Sequence, residues 1–165
     1  MQPESKRRFV VDQRGGNVAL DLFVVDQHLG SLVDATLAEA GLTASLYAVY
    51  SQLAQGPRTP RQLSETLGVR PTTLSGYLAT MAGWEHVSRS RNQHDGRSSV
   101  LTLTEAGHAK VRECRPLMQR VLRTLNAAIG SADDVRAARA LIARIDDAIQ
   151  VARSRSGTKF EGGTP

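Results

Sequence analysis

At 165 residues the chain is long enough for one domain with its own core and short for two independent ones. Only 4% of it is aromatic, with Leu, Val, Ile and Ala making up most of the apolar residues, which argues against a sandwich or barrel and for packed helices. The 21 Lys and Arg against 16 Asp and Glu give a formal charge of +5, which favours a polyanionic partner; the single cysteine excludes an internal disulfide framework and points to a reducing compartment.

In chain order, residues 1–16 carry Lys6, Arg7, Arg8 and Arg14 and end in Gly15-Gly16, the pattern of a basic arm with little to bury. The run Val18 to Val25 is interrupted by Asp21 and is far too short to span a bilayer of about 30 Å, so the expectation is a soluble, cytoplasmic protein with no membrane partner. Asn17 is a plausible N-cap for a long helix over 17–41, with Leu22, Val25, Leu29, Leu32, Val33, Thr36 and Leu37 at helical spacing and Gly41 as its stop. Thr43 then caps a second helix that ends at Gly56-Pro57.

Thr59-Pro60-Arg61-Gln62 has the form of a capping box with proline at the first helical position, and Gly68 is placed to turn the chain after one short helix. Pro71 opens the next helix, whose Leu74, Tyr77, Leu78 and Met81 define a buried stripe. Helical spacing ends near Gly83, and the runs 86–91 and 98–103 flank a polar turn containing Asp95-Gly96, a hairpin signal. Thr104 caps a long helix in which Pro116 is expected to produce a bend or a break. Ser131 starts a last helix, and residues 153–165 look like a frayed tail. The fold class is therefore mainly α, a winged helix-turn-helix lobe over 43–104 with a two-stranded β wing, flanked by long helices over 17–41 and 105–152.

Such a unit points to double-stranded DNA. The exposed face of the second helix offers Thr72, Thr73, Ser75, Gly76 and Thr80 but none of the Arg, Asn or Gln side chains that make bidentate base contacts. Arg70 occupies an N-cap position better served by Ser or Asp, so a phosphate contact accounts for it. Gly76 costs about 1 kcal/mol relative to alanine inside a helix; close approach of another backbone and simple tolerance explain it equally well. At the hairpin, Arg89, Arg91, Arg97 and Ser98 surround Asp95, and a guanidinium there suits the negative potential of a narrow minor groove, with Asp95 orienting it. The weight of recognition is thus expected on the wing more than on the helix.

From Leu42 to Gly107, through LTASLYAVYSQLAQGPRTPRQLSETLGV, RPTTLSGYLATM, the Asp95-Gly96-Arg97 wing signature and LTLTEAG, the chain resembles the MarR (multiple antibiotic resistance regulator) family. The resemblance implies a homodimer built from the first and last two helices on a palindromic operator, usually as a repressor, with the recognition helix in the major groove and the wing arginine in the minor groove. It also implies release by a small phenolic or other aromatic effector between the lobes, for which His28, Tyr47 and Tyr50 are the candidates. Arg70, Gly76 and Trp84-Glu85-His86 depart from the family's pattern, and Cys114 lies away from the cysteine of its peroxide-sensing branch and reads as a core thiol.

No cofactor and no metal are expected, because His28, His86, His94 and His108 are dispersed with no HxxxH or CxxC pair. With no placed nucleophile the chain is not read as an enzyme. The alternative is a winged-helix protein-interaction module without specific DNA binding.

Overall fold

The computed structural model describes residues 17–91 and 99–155, so the basic arm, the wing turn with Asp95, Arg97 and Ser98, and the end of the tail lie outside the described residues. Among the described residues, six α-helices and two strands follow one another as α1 (Val18–Leu37), α2 (Ala44–Leu53), α3 (Pro60–Leu67), α4 (Pro71–Gly83), β1 (Val87–Arg91), β2 (Ser99–Leu103), α5 (Glu105–Ile129) and α6 (Ala132–Arg155).

Short polar side chains start these helices, α4 excepted, by satisfying their first orphan N–H groups. Asn17 Oδ1 accepts from the Leu20 N–H at 3.2 Å, and Thr43 Oγ1 from that of Leu46 at 3.3 Å. Thr59 and Gln62 form the full reciprocal box, Thr59 Oγ1 accepting from the Gln62 N–H and Gln62 Oε1 from that of Thr59. Gly68, at φ 65°, ends α3 in the left-handed conformation that the chain needs to enter α4. Pro116 does not break α5, which runs unbroken from Glu105 to Ile129. Its missing N–H costs one helical bond, and the buried Cys114 and Val121 on either side hold the helix to its neighbours.

The core lies where α1, α2, α5 and the winged lobe meet; its largest fully buried side chains include Tyr50, Leu37, Leu63, Leu74, Met81 and Leu101. In the antiparallel sheet, Val87 pairs with Leu103, Arg89 with Leu101 and Arg91 with Ser99, so Leu101 and Leu103 turn inward on one face. A further bridge had no sequence signal: the Arg58 N–H donates to the Leu101 carbonyl at 3.1 Å, and the Leu101 N–H donates back at 2.8 Å.

A second apolar set stays uncovered. On α1 only Val33 and Leu37 of the expected stripe are buried, while Phe23 is 61% and Val25 60% exposed. On α6 no residue is buried, and Ile142 is 64% exposed. With Leu122 and Leu125 of α5 these side chains form exposed apolar surface beyond what scattered surface residues account for. Among the described residues no single helix is long and apolar enough to cross a membrane.

Candidate nucleic-acid interface

The buried stripe of α4, Leu74, Leu78 and Met81, fixes the helix's rotation on the core. That rotation leaves Thr72, Thr73, Ser75, Gly76 and Thr80 exposed together on its outer face, with Arg70 exposed at its start. Arg70 occupies the N-cap and its side chain makes no capping bond there. The Thr80 hydroxyl donates to the Gly76 carbonyl at 3.1 Å, so its proton is directed into the helix and its oxygen and methyl remain for a partner. A Cβ built on Gly76 meets nothing within 4 Å, so no contact inside the chain requires a glycine there.

The wing is set beside this face. Arg89 and Ser75 line the same cleft between β1 and α4. Arg89 and Arg91 project on one face of the ladder, and on the other the Ser88 and Thr102 hydroxyls bond across the strands at 2.7 Å. The base of the wing is anchored at its other end by a compact junction. Glu85 takes a left-handed φ of 58° after α4, which lets the Glu85 N–H reach the Ala82 carbonyl and the His86 N–H reach the Met81 carbonyl, each at 2.9 Å. The Thr104 hydroxyl then donates to the Glu85 carbonyl at 2.7 Å and the Thr104 N–H to the His86 carbonyl at 3.1 Å, tying the start of α5 to the end of α4.

The expected effector residues differ in their surroundings. Tyr50 is fully buried, its hydroxyl 2.5 Å from His86 Nδ1, and burial followed by the nearby Cys114 pushes its pKa up to about 12. Tyr47 is half-buried, with its phenol raised by burial and by Cys114, and His28 is exposed on α1. The cleft between α1, α2 and α4, about 460 Å³, is instead lined by residues that include Asp26, Gln27, Asp34, Ser45 and Tyr77. Cys114 is fully buried, and burial followed by Glu113 pushes its thiol up, as suits a core thiol. Among the described residues no three His, Cys, Asp or Glu side chains are grouped so as to hold a metal ion.

No protein-family model matches the chain, and no curated protein matches it. Solved structures do. A MarR variant from E. coli in complex with operator DNA is 23% identical, with a TM-score of 0.69 over 78% of this chain and 92% of that one. The chain has the fold of the MarR regulators. Two further structures agree: the M. tuberculosis transcriptional regulator MOSR in complex with DNA, at 24% identity and TM-score 0.67 over 81% of this chain and 98% of that one, and the PcaV regulator from Streptomyces coelicolor with its natural ligand, at 23% and 0.73 over 84% and 98%. The MarR fold accounts for the order of elements from α1 to α6 and for the place of the β1–β2 wing directly after α4.

Proposed function

We propose that the chain is a MarR-family transcriptional regulator that binds double-stranded DNA as a homodimer on a palindromic operator, with two half-sites about 10 base pairs apart. The observation that carries this reading is the exposed polar face of α4 set beside the wing arginines on a rigid core. Thr72, Thr73, Ser75 and Thr80 would meet base edges, Arg70 and Arg89 phosphates, and Arg91, Arg97 and Ser98, with Asp95 holding the turn, the minor groove. Two structurally similar regulators were solved with DNA, which supports the same use here.

The uncovered apolar face of α1, α5 and α6 supports a second copy as partner, since burying it removes apolar surface from water at about 25 cal/mol per Å². Sedimentation velocity at micromolar concentration is expected to give a species of twice 17.8 kDa, and a monomer there would remove the dimer from the reading. The PcaV structure with its ligand supports regulation by a small effector. Such a molecule in the cleft between α1, α2 and α4 represses or releases only by binding one state of the dimer more tightly than the other.

Gly76 offers a test of which face meets DNA. Gly76→Ala is expected to stabilise the free protein by about 0.5–1 kcal/mol, because the added methyl meets nothing and the helix gains propensity. In gel-shift titrations the same change is expected to weaken operator binding severalfold by standing the backbone off the groove. A stabilised variant with unchanged affinity would place Gly76 outside the interface.

A further inference from the structure

Arg153 lies near the end of α6, far along the chain from α4 and the wing. The helix faces solvent there: the other residues from Asp146 to Arg155 are exposed, whereas Arg153 is half-buried. Helix lengths explain the difference. α5 starts at the wing and runs for 25 residues, and α6 follows with 24, each spanning roughly 36 Å, so the end of α6 comes back to the winged lobe. There Arg153 lines a cleft of about 470 Å³ together with Ser64 and Glu65 of α3, Leu74 and Ser75 of α4 and Arg89 of β1.

Two guanidiniums set the charge of this cleft. Arg61 also lines it, but its Nε lies 2.8 Å from Glu65 Oε1, and the two charges offset each other. Arg89 and Arg153 then give the cleft its positive sign. The Ser64 hydroxyl donates to the Val69 carbonyl at 2.6 Å, so its proton is committed to the turn between α3 and α4. On α6, Arg153 Nη1 donates to Gln150 Oε1 at 3.3 Å and Gln150 Nε2 donates to Asp146 Oδ1 at 3.5 Å. These bonds, about one turn apart, align the arginine side chain along the helix.

We infer that Arg153 binds a phosphate of the DNA backbone beside the one taken by Arg89, so that the last helix contributes directly to the DNA-facing surface. The inference rests on the DNA-binding reading. Ser75 belongs both to the cleft and to the exposed face of α4, so a duplex lying on that face brings its backbone to the two guanidiniums. An arginine suits this place, because its planar donors match phosphate oxygens in charge-assisted bonds. Basic residues in a last turn also complement the negative end of a helix, and Arg153 and Arg155 share that role on α6. Of the two, Arg153 lines the cleft, so comparing them separates a helix-end role from a phosphate contact.

The test titrates the full-length chain against a labelled duplex recovered by site selection, by fluorescence anisotropy between about 50 and 200 mM salt. Arg153→Gln is expected to bind about fivefold more weakly, with the slope of log affinity against log salt shallower by about 0.9, the value for one phosphate. Its ranking of duplexes that differ in base sequence stays that of the parent, because a phosphate contact carries no base information. Arg153→Lys keeps the parent's slope, and Arg155→Gln leaves affinity and slope unchanged. A parent-like slope in Arg153→Gln, or an equal loss in Arg155→Gln, overturns the contact while the salt-dependent binding of the parent keeps the DNA-binding reading in place. A parent that binds no duplex removes both. Arg153→Gln is at a helix end with no buried residue, so its melting temperature is expected to match the parent's and the slope reads the contact and not the fold.

Discussion

Gly107→Ala is expected to destabilise the protein by about 2–3 kcal/mol, the upper part of the range for overpacked positions. A Cβ at Gly107 falls 2.2 Å from the His86 carbonyl oxygen and 3.1 Å from both the His86 carbonyl carbon and Leu103 Cδ2. The first contact is with backbone, which cannot swing aside as a side chain can. That carbonyl also accepts the Thr104 N–H, and the N–H of the same residue holds the end of α4 through Met81, so relief of the clash loosens the junction between α4, β1 and α5. Thermal melting is expected to fall by about 5–10 °C for a chain of this size, and a shift below roughly 2 °C would mean that the junction yields freely. Glu85 adds to the same junction, because a non-glycine residue at φ 58° costs about 1–2 kcal/mol that the surrounding bonds must offset.

Arg97→Ala is expected to lower operator affinity by more than tenfold while leaving the melting temperature unchanged. The described ladder closes at its outer end on the pair Arg91 and Ser99. A minor groove supplies the negative potential that makes insertion of a guanidinium favourable. Arg97→Lys is expected to recover part of the loss, since it keeps the charge and loses the planar fork. Gel-shift titration of the two variants beside the parent checks this; unchanged affinity in Arg97→Ala would take Arg97 out of the interface.

What the sequence made readable was local. Thr43, Thr59, Gln62, Gly68, Pro71 and Thr104 each act on backbone groups within four residues, so their roles could be read from spacing, and the structure has them in those roles. Contacts between distant segments carried no such signal. The Arg58 bridge to Leu101, the Tyr50–His86 bond across 36 residues and the Lys110 bond to Ala40 across 70 depend on how the elements stack. Gly107 could be seen as part of the LTLTEAG segment, but only the position of the His86 carbonyl explains why a side chain is excluded. The stripes of α1 and α6 revealed helices without revealing what covers them, because apolar periodicity is the same for a face packed on its own chain and one left to a partner.

The most direct test of the DNA-binding dimer is binding-site selection from genomic fragments, followed by titration of the recovered duplex across a range of salt. The expected result is an enriched palindrome bound by two chains per duplex, with log affinity falling linearly against log salt at a slope of about −0.9 for each phosphate neutralised. No enriched sequence, together with binding that is flat across salt, would contradict DNA recognition and leave the winged lobe as a surface for another protein.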